Sequence, residues 1–407
     1  MNKKSKVLIS SENFVPLSTA SAQRGFAFTH ALTQHSFVVT VITKSPVYGT
    51  SEKLIVHGFV TKRDLPVFDP ILLFFYLIRS ANILRKNKFD LIVSTVPKIN
   101  NAITGVILSK LFRLPHIIDI RDYWESTLIS YPLSAIVPRP LTLLMIKLVS
   151  LLYRQADSII TVNETLKKML HRRGIPLNKI WIIPNGADTS TFRPCENKDC
   201  VKKLRRKYGL PPSKTIFVYG GSFTVDYNFE ILLKGLSYLK DNPNVNQNLL
   251  LLLVGRPTVL LKEKTLRQLT RKLEIQDLVK IRGPTSVDKL AELLRCCDVG
   301  VIPLADSEAF RHVTTAKIFT YLASGLPILA SGPENGELEN FIKQYRVGYF
   351  LENCTPKSFA DGFKRFMQEK DKTREMGMRG RTIMEKSFDR YLLANKLIEV
   401  IQAIAKT

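Results

Sequence analysis

The chain has 407 residues and a mass of 46.2 kDa, more than one hydrophobic core usually serves, so the sequence predicts two domains or slightly more. A composition of 45% hydrophobic and 23% charged residues excludes a disordered or collagen-like chain. The 60 Lys and Arg against 35 Asp and Glu give a formal net charge of +25, spread over both halves of the sequence. This field favours polyanions, acidic membrane surfaces and phosphorylated ligands without choosing among them.

Cysteine usage and hydropathy bear on the compartment. The sequence contains five cysteines: Cys195, Cys200, Cys296, Cys297 and Cys354. They form no CxxC pair and no zinc spacing with histidine, which predicts a reduced, cytoplasmic protein without a structural metal. The basic N-terminus is followed only by the short apolar run Val7–Ile9, which is typical of a first strand and too short for a signal peptide. Charges and prolines interrupt or flank the later apolar stretches, so no membrane-spanning helix is predicted.

Short β-branched apolar runs alternate with segments of helical periodicity, the pattern of parallel sheets with crossover helices. The first half contains six predicted strands: Lys6–Ile9, Val38–Ile42, Leu91–Ser94, His116–Ile120, Ser158–Val162 and Lys179–Ile183. The second half contains six more: Thr215–Tyr219, Leu249–Val254, Val279–Ile281, Val299–Pro303, Pro327–Ala330 and Val347–Phe350. The two sets predict an α/β protein of two Rossmann-like domains.

Turn residues at 184–188, followed by a charged stretch poor in strand formers, place the domain boundary near residue 190. The predicted domains are therefore 1–190 and 191–375. The remaining residues, 376–407, carry helical patterns without a strand. Helices are predicted near the C-terminus at Pro356–Glu369, Lys372–Ser387 and Arg390–Ala405.

A Gly-Gly turn follows the strand that begins at Thr215, and a helix is predicted from Asp226. Strand, Gly-Gly and helix together outline a phosphate cradle, because glycine lets the backbone approach an anion and the helix N-terminus attracts it. The candidate contacts are Gly220, Gly221 and Ser222. Many strand-to-helix turns contain glycine for geometry alone, so the structural alternative stays open.

A short helix is predicted from Ala316, with Thr315 as its N-cap and Gly325 after its end. Its first turn carries Lys317, and a cation there opposes the helix dipole unless an anion lies between them. A bound phosphate would resolve that conflict. The alternative is a solvated surface lysine.

The segment Asp119–Glu125 places charged and aromatic side chains after a predicted strand. In open α/β sheets, ligands bind at this carboxyl edge. Arg121 and Asp122 are the candidate ligand contacts, and an Arg121–carboxylate pair that holds a loop is the alternative.

Two stretches, 66–88 and 139–154, combine large apolar residues with basic ones. A basic amphipathic helix can lie in a membrane interface, whereas a crossover helix that covers the sheet is the structural alternative. The sequence contains no G-x-G-x-x-G after the first strand, no P-loop, no H-E-x-x-H and no G-x-S-x-G. Their absence disfavours dinucleotide oxidoreductases, P-loop NTPases, zincins and serine hydrolases.

Several segments resemble a known family. The segments 156–162, 180–188 and 192–194 resemble the linker signature of the retaining glycosyltransferase family 4, and further collinear matches occur around 220–222, 253–255, 281–283, 297–303 and 317–327. The resemblance implies the GT-B fold, with two Rossmann-like domains whose parallel sheets face a central cleft. It also implies that the N-terminal domain binds the acceptor, the C-terminal domain binds the nucleotide sugar, and the last helix returns to the first domain.

The segment Asp119–Ser126 narrows the resemblance to bacterial N-acetylfucosaminyltransferases of surface-polysaccharide assembly. This implies that Arg121 and Asp122 face the reacting sugar. It also implies that the diphosphate is held by Gly220, Gly221, Ser222 and Lys317. By the same resemblance, Arg282 and Gly283 lie beside the base.

The sequence departs from the family pattern at three places. His312 and Thr320 stand where members usually carry two glutamates, the residues that would recognise the ribose. Ser222 and the neutral region around Tyr227 replace an Arg and a Lys, which leaves Lys317 as the main candidate cation. The loop after the first strand lacks a glycine pair, and its candidate acceptor or donor contacts are Ser18, Thr19, Ser21 and Arg24.

These features predict a retaining glycosyltransferase of cell-surface glycan synthesis that needs no metal. The donor is expected to be a uridine-diphosphate sugar with an N-acetylated or deoxy hexose, and the acceptor a lipid-linked or polysaccharide chain. Peripheral association with an anionic membrane, on its cytoplasmic face, is expected as well. A nucleotide-sugar epimerase of the same architecture and a non-catalytic GT-B subunit that binds a membrane partner remain alternatives. Nucleic-acid binding is disfavoured because the basic residues are dispersed.

Overall fold

A computed structural model describes residues 5–14, 19–44, 51–58, 69–97, 99–125 and 139–405. The chain divides into two compact units. The first unit comprises the residues up to Asn185 together with those from Arg390 onward, and the second comprises Gly186–Asp389.

The units divide between Asn185 and Gly186, inside the turn residues 184–188 from which a boundary near 190 was predicted, and the segment expected at 376–407 is shared between them. Residues 376–389 belong to the second unit, because backbone and side-chain hydrogen bonds hold their end to its first residues. Ala187 N donates to Phe388 O at 3.0 Å, and Thr189 Oγ1 donates to Asp389 Oδ2 at 2.6 Å. The final helix packs against the first helix of the first unit.

The first unit contains a parallel sheet with the strand order β3-β2-β1-β4-β5-β6-β7 among the described residues. Its strands are β1 Lys6–Ser11, β2 Val38–Thr43, β3 Leu54–Gly58, β4 Leu91–Val96, β5 His116–Ile120, β6 Ser158–Thr161 and β7 Ile180–Ile182. Its helices are α1 Ala20–Gln34, α2 Pro70–Lys86, α3 Ile99–Phe112, α4 Arg139–Arg154 and α5 Glu164–Arg172, with α15 Arg390–Ala405 from the end of the chain and a short 3-10 helix at Leu177–Lys179.

The second unit repeats this architecture with the strand order β10-β9-β8-β11-β12-β13, again parallel throughout. Its strands are β8 Thr215–Gly220, β9 Leu249–Val254, β10 Val279–Arg282, β11 Val299–Pro303, β12 Ile328–Ser331 and β13 Gly348–Phe350. Its helices are α6 Lys198–Lys207, α7 Phe229–Ser237, α8 Pro243–Asn248, α9 Glu263–Lys272, α10 Val287–Arg295, α11 Ala316–Ala323, α12 Glu337–Tyr345, α13 Pro356–Gln368 and α14 Lys370–Ser387, with 3-10 turns at Gln276–Leu278 and Glu308–Phe310.

Every residue of the central strands β4, β5, β9 and β11 is buried. Helices cover both faces of such sheets, so these strands are rich in apolar residues and do not alternate, although β4 and β5 also carry the buried polar residues Ser94, His116 and Asp119. The predicted α/β class with two Rossmann-like domains is therefore confirmed. The edge strand β3 was not predicted, because it is short, with only three consecutive apolar residues, and only one of its five residues is fully buried.

The cysteines correct one expectation. A disulfide joins Cys195 to Cys200, so the expectation of a fully reduced chain is wrong for this pair. The turn before α6 brings their Cα atoms to 5.7 Å, a usual separation for bonded cysteines, and the spacing in the sequence does not reveal this turn. Cys296, Cys297 and Cys354 are free.

The strand orders also locate candidate sites. In the first unit, β1 and β4 are neighbours from which the chain proceeds in opposite directions across the sheet, and in the second unit β8 and β11 have the same relation. Ligands of open parallel sheets bind in the crevice at the carboxyl ends of such strands. The loop after β8 and the segment between β11 and α11 therefore form the candidate site of the second unit.

Candidate functional site

The Gly-Gly turn after β8 has a geometry that only glycine allows. Gly221 has a φ of +148°, and a Cβ atom there would lie 2.5 Å from Cε of Lys317. Gly220 N donates to the Tyr321 hydroxyl at 2.7 Å, and Gly221 N donates to Val254 O at 2.9 Å. The turn is thus fixed on one side by α11 and on the other by the end of β9.

Gly255, directly after β9, completes this close approach. A Cβ atom at Gly255 would lie 1.8 Å from the Gly221 carbonyl oxygen. Gly255 N also donates to Arg282 O at 3.0 Å, which draws the end of β10 toward the same place. Three strand ends therefore meet backbone to backbone. The N–H groups of Gly220, Gly221 and Gly255 are all used within the fold, so the predicted cradle is not formed by these three amides.

Lys317 lies in the first turn of α11, as the sequence predicts, and Thr315 caps the helix by accepting a hydrogen bond from Lys317 N. The half-buried Lys317 side chain carries its ammonium group to the Gly-Gly turn. There Nζ donates to the Tyr227 hydroxyl at 2.8 Å and lies 4.0 Å and 5.0 Å from the ring centroids of Tyr227 and Tyr219. No carboxylate in the described part of the chain forms an ion pair with Lys317, so its positive charge is not neutralised.

Tyr219 and Tyr321 supply neutral hydroxyl groups. Burial raises the pKa of Tyr219 well above its usual value, and burial likewise raises the pKa of Tyr321. The Tyr219 hydroxyl donates to Ser222 O at 2.6 Å, so it holds the loop after the glycines rather than a ligand. The Ser222 side chain is exposed at the same turn.

His312 and Thr320, which resemble the glutamate positions of the family, supply no carboxylate here. His312 is buried. The Thr320 hydroxyl donates to Lys317 O at 3.0 Å and is therefore engaged within α11, one turn after Lys317. Glu308 forms an exposed ion pair with Arg311 at 2.7 Å.

Arg282 and Gly283 lie at the end of β10. The Arg282 guanidinium lies 5.7 Å from the Tyr208 ring centroid and donates from Nη2 to Tyr208 O, while its Nε has no hydrogen-bond partner among the described residues. Open space surrounds the position that a Cβ atom would take at Gly283. The side chain of Arg282 is thus held by Tyr208, and the free surface near the end of β10 is at Gly283.

In the first unit, Arg121 and Asp122 follow β5. Arg121 Nε donates to Val96 O, the last residue of β4, at 3.2 Å, and Asp122 is exposed. Both residues therefore lie at the carboxyl edge of the sheet. The alternative interpretation, an Arg121–carboxylate pair that holds the loop, has no ion pair among the described residues to support it, and Arg121 instead binds a backbone carbonyl.

The residues after Asp122 anchor this segment to α4 and to the residue after α5. Trp124 Nε1 donates to the Tyr153 hydroxyl at 3.1 Å, and Glu125 pairs with Arg173 at 3.0 Å. Burial raises the pKa of Glu125, and the charge of Arg173 opposes this shift. The segment is thus immobilised from its C-terminal side, and Arg121 and Asp122 remain nearest the strand ends.

The described candidate residues of the loop after β1 make contacts within the fold. Arg24 is buried and forms a bidentate ion pair with Asp119, with Nη2 at 2.8 Å from Oδ1, and its Nη1 donates to Pro184 O at 2.9 Å. Thr19 caps α1 by accepting from Ala22 N, and the Ser21 and Thr19 hydroxyls are 2.9 Å apart. These groups are used within the fold, while Ser18 lies outside the described residues.

Sequence reasoning overlooked Tyr219, Tyr227 and Tyr321 as functional residues. Tyr219 and Tyr227 lie close in the sequence to Gly221, and Tyr321 lies four residues after Lys317. An aromatic residue so near a predicted ligand contact was the signal that could have identified them. Within the described ranges, no group of three His, Cys, Asp or Glu side chains is arranged to hold a metal ion. The described helices also include none that is long and apolar enough to cross a membrane.

Two family models match the chain in succession. Glycosyltransferase Family 4 matches residues 26–191, and Glycosyl transferases group 1 matches residues 201–383. Together they cover most of both units, including the Gly-Gly turn, Arg121 and Lys317.

The chain belongs to the GT4-type glycosyltransferases.

Solved structures show that this chain has the GT-B fold. Sucrose-phosphate synthase from Thermosynechococcus elongatus is 17% identical with a TM-score of 0.80, over 99% of this chain and 100% of that one. A glycosyltransferase from Rickettsia africae is 16% identical with a TM-score of 0.73, over 100% of both chains. HepE from Anabaena, solved with UDP-glucose, is 15% identical with a TM-score of 0.73, over 98% and 99% of the chains.

The matches to curated relatives cover only about half of each sequence. The D-inositol 3-phosphate glycosyltransferase of Streptomyces scabiei is 27% identical over 229 residues, which is 55% of this chain and 49% of the relative. That of Streptomyces avermitilis is 26% identical over 226 residues, or 54% and 47%. The chain thus spans about half the length of these relatives.

Proposed function

We propose that the protein is a retaining glycosyltransferase that transfers a hexose from a nucleoside-diphosphate donor to an acceptor. The observation that carries this proposal is the ammonium group of Lys317, which has no carboxylate partner among the described residues and lies beside the bare backbone of Gly221. In this proposal the second unit binds the donor and the first unit binds the acceptor.

The chemistry follows from charge. Cleavage of the donor develops negative charge on the leaving diphosphate, and a fixed cation stabilises that charge more in the transition state than in the ground state. The N-terminus of α11 adds its dipole at the same place. We propose that attack comes from the face that the diphosphate leaves, with a phosphate oxygen taking the acceptor proton, so that the sugar retains its configuration. This mechanism needs no protein nucleophile and no metal.

For the donor, we propose a uridine-diphosphate sugar. A structural neighbour, HepE of Anabaena, binds UDP-glucose, which supports this base. We further propose an N-acetylated or deoxy hexose, because Asp119–Ser126 resembles the segment of the N-acetylfucosaminyltransferase branch. Gly283 would lie beside the base, and His312 with Thr320 would lie where other members carry carboxylates.

For the acceptor, we propose a lipid-linked or polysaccharide chain of cell-surface glycan synthesis, presented at the cytoplasmic face of a membrane. An exposed apolar face of the first unit supports this. It is formed by residues of α2, α3 and α4, and α3 packs against both other helices. The exposed apolar residues of these helices are Ile71, Phe74, Phe75, Ile78, Ile107, Leu111, Leu141, Leu143, Leu144, Leu148 and Leu151. The exposed basic residues Arg79, Lys110 and Lys147 on the same helices suit anionic lipid.

The test has two steps. The donor is first identified as the nucleoside-diphosphate sugar that raises the midpoint of thermal unfolding, and transfer of its sugar by the purified protein is then measured. We expect Lys317→Ala to lower kcat/KM by about a hundredfold or more, as removal of a group that stabilises a developing anion does. Lys357→Ala, which removes an exposed lysine of the same unit, serves as the matched control and should leave transfer unchanged. We expect transfer to persist in chelator.

The acceptor panel includes inositol phosphate, because the curated relatives are named for it. Transfer unaffected by Lys317→Ala would remove Lys317 from the mechanism. Turnover of the donor sugar without any acceptor would instead indicate an epimerase. Absence of nucleotide binding would indicate a non-catalytic subunit.

A further inference from the structure

We propose that Tyr227 is a positioning residue that holds the ammonium group of Lys317 at the diphosphate subsite, with Tyr219 as the second wall of an aromatic seat. This inference rests on the proposed function, since it describes the same subsite. It explains how a site that lacks the usual Arg and Lys after the glycines can use a single lysine from α11.

The seat contacts Lys317 in two ways. The Tyr227 hydroxyl accepts a hydrogen bond from Nζ at 2.8 Å, and the ring centroids of Tyr227 and Tyr219 lie 4.0 Å and 5.0 Å from the same atom. Both contacts favour the charged amine, because a ring face and a hydroxyl oxygen each present negative charge density. A long lysine side chain otherwise loses considerable rotamer freedom when a ligand fixes it.

Tyr227 itself is fixed by the loop that carries it. Tyr227 pairs with Leu304 as an isolated antiparallel bridge, and Asn228 N donates to Pro303 O at 2.6 Å. The Tyr227 ring packs edge-on against Tyr219, with centroids 5.3 Å apart. Its hydroxyl also lies 3.4 Å from Oγ1 of Thr315, the N-cap of α11. The loop after β8 and the start of α11 therefore meet at this hydroxyl group.

A tyrosine hydroxyl leaves the charge of the Lys317 ammonium group available to a ligand, whereas a carboxylate would not. An ion pair with Asp or Glu would neutralise the ammonium group and oppose an incoming diphosphate. Tyrosine fixes the position of Nζ and leaves its full charge for the ligand. The absent Cβ of Gly221 keeps the space beside Cε and Nζ open. The seat thus preorganises the cation before the donor arrives.

The experiment measures UDP and uridine affinities for Tyr227→Phe, Tyr227→Leu, Lys317→Ala and the double variant Tyr227→Phe with Lys317→Ala. We expect Tyr227→Phe to weaken UDP binding about three- to tenfold through loss of one hydrogen bond to a charged group, and Tyr227→Leu to weaken it further through loss of the ring. Uridine, which lacks the diphosphate, should bind all variants equally. In the Lys317→Ala background, Tyr227→Phe should have no further effect.

Tyr238→Phe is the matched control, because Tyr238 is 65% exposed in the same unit, and it should leave both affinities unchanged. Unaltered UDP affinity in Tyr227→Phe, an equal loss of uridine affinity, or additive losses in the double variant would overturn the inference while the proposed function stands. UDP binding with the expected pattern but no sugar transfer to any acceptor would refute the proposed function and support the seat. No binding of UDP, ADP or GDP to the unsubstituted protein would overturn both.

Discussion

At the residue scale, buried polar side chains of the first unit illustrate two outcomes of burial. Arg24 and Asp119 are charged and paired, with side chains 3% and 1% exposed, so each satisfies the other. His116 on β5 is fully buried without an ionic partner. Its Nε2 lies 2.9 Å from Ser94 Oγ, and its Nδ1 has no hydrogen-bond partner among the described residues. Burial lowers the pKa of His116 to about 3, so the folded protein holds this imidazole neutral.

His116 predicts an acid-sensitive stability. The folded pKa of about 3 lies below the usual value of 6.5, so the unfolded chain binds the proton more readily between these two values. The stabilisation is therefore complete above pH 6.5 and declines as the pH falls toward 3. From pH 7.5 to pH 5, we expect His116 to account for a loss of about 2 kcal/mol in the free energy of unfolding.

The measurement is urea unfolding at several pH values, compared with His116→Gln, which cannot titrate. The difference in the free energy of unfolding between the two proteins should shrink by that amount as the pH falls from 7.5 to 5. His171→Gln, at an exposed position of the same unit, is the control and should follow the unsubstituted protein. A constant difference across the range would refute the assignment to His116.

At the element scale, the residues at a helix end determine where the helix begins, whereas the residues that its interior tolerates depend on the elements packed against it. Thr315, Asn163 and Thr355 cap helices by accepting backbone hydrogen bonds, as short polar residues at these positions do. Glycines inside helices are more informative. A Cβ atom at Gly25 in α1 would meet only ordinary contacts, with Phe14 Cδ2 nearest at 3.6 Å. In α3, a Cβ at Gly105 would lie 2.1 Å from Ser94 Oγ and 2.2 Å from His116 Nε2.

These two glycines form a matched pair for substitution. We expect Gly25→Ala to raise the free energy of unfolding by about 0.5–1 kcal/mol, because alanine lowers the entropy of the unfolded chain and fits the helix. We expect Gly105→Ala to lower it by about 1–3 kcal/mol, because the added methyl group overpacks α3 against β4 and β5. Chemical denaturation of both variants checks this. Equal effects of the same sign would show that packing at these sites does not differ as described.

At the scale of the whole molecule, charge and exposed apolar surface occur together. The net charge of +25 extends over both units, whereas the apolar face of α2, α3 and α4 belongs to the first unit alone. Phe74 and Phe75 on α2 are 59% and 56% exposed, which is unusual for adjacent phenylalanines in a folded domain. Scattered charge favours any anionic surface, whereas an apolar face on one unit would orient the protein if it bound a membrane.

We therefore expect the protein to float with anionic vesicles and to bind neutral vesicles weakly. Phe74→Glu together with Phe75→Glu should reduce the vesicle partition coefficient by about tenfold or more, since burying one phenylalanine contributes about 1.5–3 kcal/mol. The control is Val259→Glu with Leu260→Glu, at two exposed apolar residues of the second unit. Equal recovery with neutral and anionic vesicles, or an equal effect of the control, would argue against membrane binding through this face.

The sequence by itself determined the fold class and most of the secondary structure, but not the edge strand β3. Strands His116–Ile120, Leu249–Val254 and Val299–Pro303 have the predicted bounds, because a strand buried on both faces is rich in apolar residues, even though the first of them also carries the buried His116 and Asp119. Helix α11 begins after Thr315 as predicted, because its cap is local. Strand bounds and helix caps depend on residues that are adjacent in the sequence, so they can be predicted from it.

Only the tertiary structure decided which side chains meet. Tyr227 and Lys317 are ninety residues apart and Arg24 and Asp119 ninety-five, and no local pattern pairs them. Arg24 was expected to face a ligand, but its guanidinium pairs with Asp119. Tyr227 was assigned only to a neutral region where relatives carry a cation, but its hydroxyl accepts a hydrogen bond from Lys317 Nζ. The order of strands in each sheet brings these loops together. The chemistry of the candidate site therefore arises from the sheet topology, which depends on contacts distant in the sequence.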